Sequence, residues 1–254
     1  MILDAFRLDG AVALVTGASA GLGAAMAVAL AEAGADVGVH GNTRSPASTC
    51  ARIEGAGRRA AALAGDLADP GVSARLVDEA IARLGRLDIL VNNAGMIRRT
   101  PAADVSDEDW DRVIEVNLTS AFRLARVAGR HMLESGRGGK IINIASLLSF
   151  QGGITVPAYA AAKGGLAQLT KALANEWASK GINVNAIAPG YIETDNTAAL
   201  RADPVRSRQI LERIPAGRWG VGDDLAGAVV FLASRAASYV HGHVLVVDGG
   251  WMGR

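Results

Sequence analysis

Seven short, mostly uncharged apolar runs alternate with longer amphipathic or alanine-rich stretches, and this alternation limits the folds open to the chain more than any other feature. The runs are Ala11–Thr16, Asp36–His40, Arg59–Gly65, Asp88–Asn92, Lys140–Ala145, Ile182–Ala188 and His243–Val247. Between them lie Gly21–Gly34, Val72–Leu84, Trp110–Ser135, Tyr159–Lys180 and Asp223–Ser234, which read as helices. Val12-Ala13-Leu14-Val15 and Val244-Leu245-Val246-Val247 are continuously apolar rather than alternating, the pattern of parallel strands buried on both faces. Strand–helix alternation carried to the end predicts one doubly wound α/β domain over residues 1–254, with a seven-stranded parallel sheet flanked by helices. No Pro- or Ser-rich linker divides it. Ligands of such sheets sit beyond the carboxyl ends of the strands, so those ends are where function is sought.

Composition removes several classes of function. The formal net charge is +1, which gives no electrostatic case for nucleic acid or an anionic membrane. A lone cysteine, Cys50, cannot form an internal disulfide, which argues against an oxidised scaffold. The longest uncharged apolar stretch, Ala20–Ala31, is short of the about 20 residues that cross a bilayer. The first residues, Met1 to Arg7, lack the basic-then-apolar order of a signal peptide, so a cytoplasmic location is expected. His241 and His243 are too few to specify a metal site, and no metal is expected. Glycine is in excess, at 31 of 254 residues against an ordinary share of about 7%.

The first glycine cluster follows the first strand and opens a helix: Thr16-Gly17-Ala18-Ser19-Ala20-Gly21-Leu22-Gly23. Glycines let the chain turn tightly and bring backbone amides to a phosphate, and the helix N-terminus adds partial positive charge. The spacing is G-x-x-x-G-x-G. The G-x-G-x-x-[GA] pattern occurs instead at Gly55–Ala60, after a helix and before a strand, where it reads as a helix stop. Gly17-Ala18-Ser19-Ala20-Gly21 also matches the nucleophile elbow G-x-S-x-G, with acids and then His241 or His243 downstream. A serine hydrolase using Ser19 is therefore a second class of reading. Against it, the elbow lies on the first strand, without an HGGG-type oxyanion loop.

A second constellation lies mid-chain. The strand ending at Ala145 leads into Ser146, and Tyr159 and Lys163 follow four residues apart on one helix face. A free tyrosine titrates near 10, and a nearby ammonium stabilises its phenolate. Ser146 is placed to hydrogen-bond a substrate oxygen on which charge develops. Asn117 interrupts an apolar helical stretch between Val116 and Leu118.

These motifs together resemble those of the short-chain dehydrogenase/reductase family over essentially the whole chain. The residues concerned are Thr16–Gly23, Asn92-Asn93-Ala94-Gly95, the set Asn117, Ser146, Tyr159 and Lys163, and the turn Pro189-Gly190. The resemblance implies a Rossmann-type fold and an oxidoreductase using NAD or NADP. Tyr159 would be the general acid/base and Ser146 would polarise a carbonyl. Lys163 would lower the Tyr159 pKa and bond the nicotinamide ribose, and Asn117 would hold a water in a proton relay. The cofactor contacts it implies are Gly17, Ser19, Ala20, Gly21, Leu22 and Gly23, then Asp66 and Leu67, then Asn93, Ala94 and Gly95. Tyr159 and Lys163 join them, with Pro189, Gly190, Ile192 and Thr194 over the nicotinamide.

After the second strand no acidic residue stands ready for a ribose 2′-hydroxyl. Asn42 and Arg44 are there instead, and Arg44 suits a 2′-phosphate, so local chemistry leans to NADP while the relatives mostly use NAD. Within the family, Gly95–Arg99, Ala145–Gly153, Asn196-Thr197, Ile214–Gly220 and Asp248–Trp251 resemble dehydrogenases of deoxy sugar acids. That likeness assigns Arg98 and Gln151 to the substrate, with Arg98 or Arg99 as the guanidinium that clamps a carboxylate. A 3-oxoacyl reductase of the same fold is the competing reading. Family resemblance also implies a homotetramer.

Overall fold

The computed structural model describes residues 1–254 and has seven parallel strands in one sheet, ordered β3-β2-β1-β4-β5-β6-β7. The strands are β1 (Val12–Val15), β2 (Asp36–Gly41), β3 (Ala60–Ala64), β4 (Ile89–Asn92), β5 (Gly139–Ile144), β6 (Ile182–Pro189) and β7 (Val244–Val247). All seven expected strands form, within a residue or two of the boundaries read from sequence. The order reverses direction between β1 and β4, which opens a crevice above their carboxyl ends.

Side chains alternate across the strands, so each face acquires its own core. Ala13, Val15, Val37, Val39, Val91 and Ile142 pack beneath α1 (Gly21–Glu32), α2 (Ala47–Gly55) and the later helix Ala226–Ala233. On the other face Leu14, Leu63, Leu90, Ile141 and Val184 meet α3 (Val72–Leu84) and two longer helices, Ser120–Ser135 and Pro157–Trp177. In chain order, the remaining helices are α4 (Asp107–Ile114), α5 (Ser120–Ser135), α6 (Pro157–Trp177), α7 (Ala198–Ala202), α8 (Pro204–Arg213) and α9 (Ala226–Ala233). A third, smaller core of Leu147, Ile210, Ile214, Trp219 and Trp251 seats α8 and the C-terminal residues above the carboxyl edge.

Helix α2 is the helix expected ahead of Gly55, whereas α7 and α8 fall in a stretch read as a connection. The stretch Trp110–Ser135 is helical but begins at Asp107, where Ser106 Oγ accepts from the Asp109 amide at 3.1 Å. Between α4 and α5 the helix widens into a π turn, Glu115–Thr119, with Asn117 at its centre. The G-x-G-x-x-[GA] pattern is a helix stop: α2 ends at Gly55, and Gly57 adopts φ +76° before β3.

A buried polar chain sets α6 against the sheet. Asn92 Nδ2 donates to Asn143 Oδ1 at 2.9 Å, and Asn143 Nδ2 donates to Thr170 Oγ1 at 2.9 Å. Thr170 passes the chain on to the Leu166 carbonyl at 2.8 Å. Because β4, β5 and α6 share this chain, it fixes the height of Tyr159 and Lys163 above the strands. Asn143→Ala leaves Asn92 and Thr170 without their partner, at a cost of about 1–3 kcal/mol. Thermal melts are expected to show a loss of roughly 2–4 °C per kcal/mol.

Candidate active site

The carboxyl edge holds a cavity of about 440 Å³ that runs from Asn42 and Asp66 at one end to Ser146 and Tyr159 at the other. Its floor is built by close approach of two turns. Thr16 Oγ1 accepts from the backbone amides of Asn93 and Ala94, both at 3.0 Å. In return Asn93 Nδ2 donates to the Thr16 and Gly17 carbonyls at 2.8 and 3.0 Å. A side chain at Gly17 would lie 2.8 Å from the Ala94 Cα, and one at Gly23 only 2.3 Å from the Gly17 oxygen. The glycines are therefore demanded by packing as well as by φ, which is +63° at Gly17.

Helix α1 starts at Gly21 after Ala20, with no side-chain cap and no acid in its first turn. Its leading amides open onto the cavity, the arrangement that receives a pyrophosphate. The further end of the groove suits an adenosine. Asp66 Oδ1 accepts from the Ala68 amide at 3.0 Å and Oδ2 from Arg112 at 2.6 Å. The Ala68 amide and then the Arg112 guanidinium hold its carboxyl below the usual carboxylate range. Arg112 was not apparent from sequence, since it lies on α4, far from Asp66 in the chain.

At the reactive end, Ser146 leaves β5 with its hydroxyl accepting from the Leu148 amide at 3.2 Å. Tyr159 and Lys163 rise from the first turns of α6. Burial pushes the Tyr159 phenol above its ordinary value, while the Ser146 hydroxyl and the Arg99 guanidinium pull it down. The net shift is thus upward, against the lowering by Lys163 expected from sequence. Lys163 Nζ donates to the Ile144 carbonyl at 2.6 Å and lies 5.6 Å from the centroid of the Tyr159 ring. Burial brings its own pKa down to about 8.

Asn117 stands behind Gly95. Its Nδ2 donates to the Met96 and Val113 carbonyls at 2.8 and 2.9 Å, which leaves Oδ1 buried without a partner. A methyl group at Gly95 would sit 2.7 Å from that oxygen and 3.7 Å from Lys163 Nζ. The π turn is what aims Asn117 there, and an orphaned acceptor beside an ammonium is fitted to a water or a ribose hydroxyl.

Most of the residues expected at the site line this cavity, including Gly21, Leu22, Leu67, Pro189, Gly190, Ile192 and Thr194. Several do not. Ser19 faces a neighbouring hollow and donates to the Arg44 carbonyl at 2.8 Å. Arg44 itself pairs with Asp195 at 3.1 Å, both side chains being exposed. Arg98 is drawn away to Asp109 at 3.5 Å, and Gln151 Oε1 accepts from the Trp251 indole at 3.2 Å. Arg99 instead reaches the loop after β6, donating to the Asn196 carbonyl at 3.2 Å. The hydrolase reading has no geometry behind it. His241 lies at 3.2 Å from Asn183 and His243 directly precedes β7, so both stand at the amino end of the sheet, opposite the edge that holds Ser19.

A glycine-walled groove ending on a serine, a tyrosine and a lysine defines a dinucleotide-dependent oxidoreductase acting on CH–OH groups. Residues 17–252 match the family model described as enoyl-(acyl carrier protein) reductase. The chain belongs to the short-chain dehydrogenase/reductase family. It is 53% identical to 2-dehydro-3-deoxy-D-gluconate 5-dehydrogenase of Dickeya dadantii, over 100% of both chains. Among solved structures, it is 57% identical to an Agrobacterium tumefaciens protein with bound NADP, provisionally assigned as a 2-deoxy-D-gluconate 3-dehydrogenase; the TM-score is 0.93, with 99% and 100% of the two chains covered. Gluconate 5-dehydrogenase of Burkholderia cenocepacia, in complex with NADP and tartrate, is 42% identical, with a TM-score of 0.95 and 100% of each chain covered.

The depressed lysine has a measurable consequence. Folding moves Lys163 from 10.5 to about 8, so between those values the native chain holds fewer protons and gains stability as pH rises. Lys163→Met removes a buried charge and is expected to raise the melting temperature at pH 7, by up to about 3 kcal/mol in stability, while abolishing turnover. In the wild type, ketone reduction should decline as pH rises through about 8, where the ammonium is lost. A rate that stays flat through pH 9 contradicts this.

Proposed function

We propose that this protein interconverts a secondary alcohol and a ketone on a deoxy sugar acid, of the 2-deoxy-D-gluconate or 2-dehydro-3-deoxy-D-gluconate type. The reading is carried by Arg99. Its charge is near enough to favour the Tyr159 phenolate, and it donates to the carbonyl of Asn196, a residue that lines the groove. A carboxylate needs such a partner and a neutral ketone does not. Full-length likeness to dehydrogenases named for sugar acids supports the same class.

The nicotinamide, when bound, supplies or accepts the hydride at the substrate carbon. Tyr159 exchanges a proton with the substrate oxygen, and Ser146 donates a hydrogen bond to that oxygen as charge develops. Lys163 keeps positive charge beneath the phenol, and Asn117 Oδ1 holds the water through which the proton is replaced. Arg99→Ala is expected to raise KM for a keto sugar acid by about tenfold or more, the worth of a charge-assisted hydrogen bond, and to change it little for a neutral ketone. Equal effects on the two substrates refute the clamp. Arg98→Ala, which removes an exposed ion pair, should change neither.

Arg44 is the residue we assign to a 2′-phosphate, by exchanging Asp195 for it. Arg44→Ala should then raise KM for NADPH much more than for NADH in the same assay. Assembly as a homotetramer is proposed from the half-exposed apolar side chains Trp110 and Phe122 on α4 and α5, and from the incompletely covered edge strand β7. No helix is long and apolar enough to cross a membrane, and Cys50 is a free buried thiol. Both fit work in the cytoplasm by a single nucleotide-binding domain.

A further inference from the structure

His40 belongs to none of the motifs above. It sits near the carboxyl end of β2 with 2% of its surface exposed, and its ring reaches both neighbouring strand ends. Nδ1 lies 3.2 Å from the Gly17 amide nitrogen and Nε2 lies 2.9 Å from the Gly65 carbonyl oxygen. A backbone amide can only donate and a carbonyl can only accept. The ring is therefore neutral, with the proton on Nε2 and a bare Nδ1.

The two groups it holds belong to opposite parts of the groove. Gly17 begins the turn that leads to the amides of α1. Gly65 precedes Asp66, the carboxylate at the adenosine end. In the sheet, β2 lies between β1 and β3, so one side chain on the middle strand spans the loops that leave both neighbours. The strand's backbone adds to this, since the Ala18 amide donates to the His40 carbonyl at 2.8 Å.

We propose that His40 is a positioning residue for the dinucleotide: its neutral ring fixes the pyrophosphate turn against the adenosine wall, and its protonation releases that turn. A proton on Nδ1 sets N–H against the Gly17 N–H, and the turn loses its only link through the ring. The charged groups bearing on the ring are Asp66 beyond β3, which favours the proton, and Arg75 on α3, which opposes it. Asp66 is in turn paired with Arg112, and β1 and β3 contribute no charged residue. Burial is the largest influence and depresses the imidazole below its ordinary value. The bridge is therefore present at neutral pH and is lost as pH falls through that depressed value.

The inference rests on the dinucleotide occupying this groove, and its test keeps the two apart. Binding of NADP+ to the full-length protein is measured by isothermal titration calorimetry from pH 5 to 8, with the His40 ring followed by NMR in cofactor-free protein. The 2′-phosphate titrates near 6 on its own account, and His40→Gln reports that contribution. A glutamine amide can accept from Gly17 and donate to Gly65 without titrating. Wild-type Kd is expected to weaken on acidification by about tenfold more than that of His40→Gln, in step with the ring resonance. His40→Leu should bind about tenfold more weakly at every pH. Superimposable wild-type and glutamine curves overturn the proposal, as does a leucine variant with wild-type Kd. If the leucine variant does not fold, the glutamine comparison alone decides. Absence of NADP+ binding in all variants at all pH values refutes the groove's occupant instead.

Discussion

Every feature of the reactive edge depends on how closely the turn after β1 approaches the turn after β4. Four hydrogen bonds join Thr16 and Gly17 to Asn93 and Ala94 across that gap, and neither Gly17 nor Gly23 has room for a side chain. None of these four bonds involves a titratable group, so they persist at pH values where the contact between Gly17 and His40 does not. The approach also brings Gly95 against Asn117 and so defines how near a ribose can come to the ammonium of Lys163.

Above that floor, two groups are held away from their ordinary protonation behaviour by the same cause. Burial raises the phenol of Tyr159 and lowers the ammonium of Lys163 to about 8, so the lysine gives up its proton before the tyrosine does. The polar neighbours Ser146 and Arg99 oppose the rise of the phenol. Stability is given up here for chemistry: a buried lysine bonded to one carbonyl costs free energy that an apolar side chain would not.

Much of this was legible in the sequence, and the exceptions have physical reasons. Continuous apolar runs announced strands buried on both faces, and the spacings from Thr16 to Gly23 and from Ser146 to Lys163 marked the site. Those signals are local. Helices α7 and α8 went unseen because they are short and bury almost nothing, α8 only Ile210 and α7 no residue. The choice between Arg98 and Arg99 was equally hidden. Adjacent residues on an extended segment point opposite ways, and only the placement of Asp109 and Asn196 decides which partner each guanidinium takes. His40 and Arg112 carry no motif at all, and their meaning lies in partners distant in the chain.

Besides its backbone bridge to Gly220, the loop after β6 is tied by arginines from two sides. Asp195 is held by Arg44 through an exposed ion pair, and the Asn196 carbonyl is held by Arg99 through a hydrogen bond. These two ties respond differently to the medium. Dissolved salt screens the pair between two opposite charges more than the bond to a neutral carbonyl. Raising ionic strength therefore loosens one side of the loop while the other stays fastened. The stretch around Asp195 thus answers to the ionic medium, while the bridge from Ile192 to Gly220 holds the base of the loop in place.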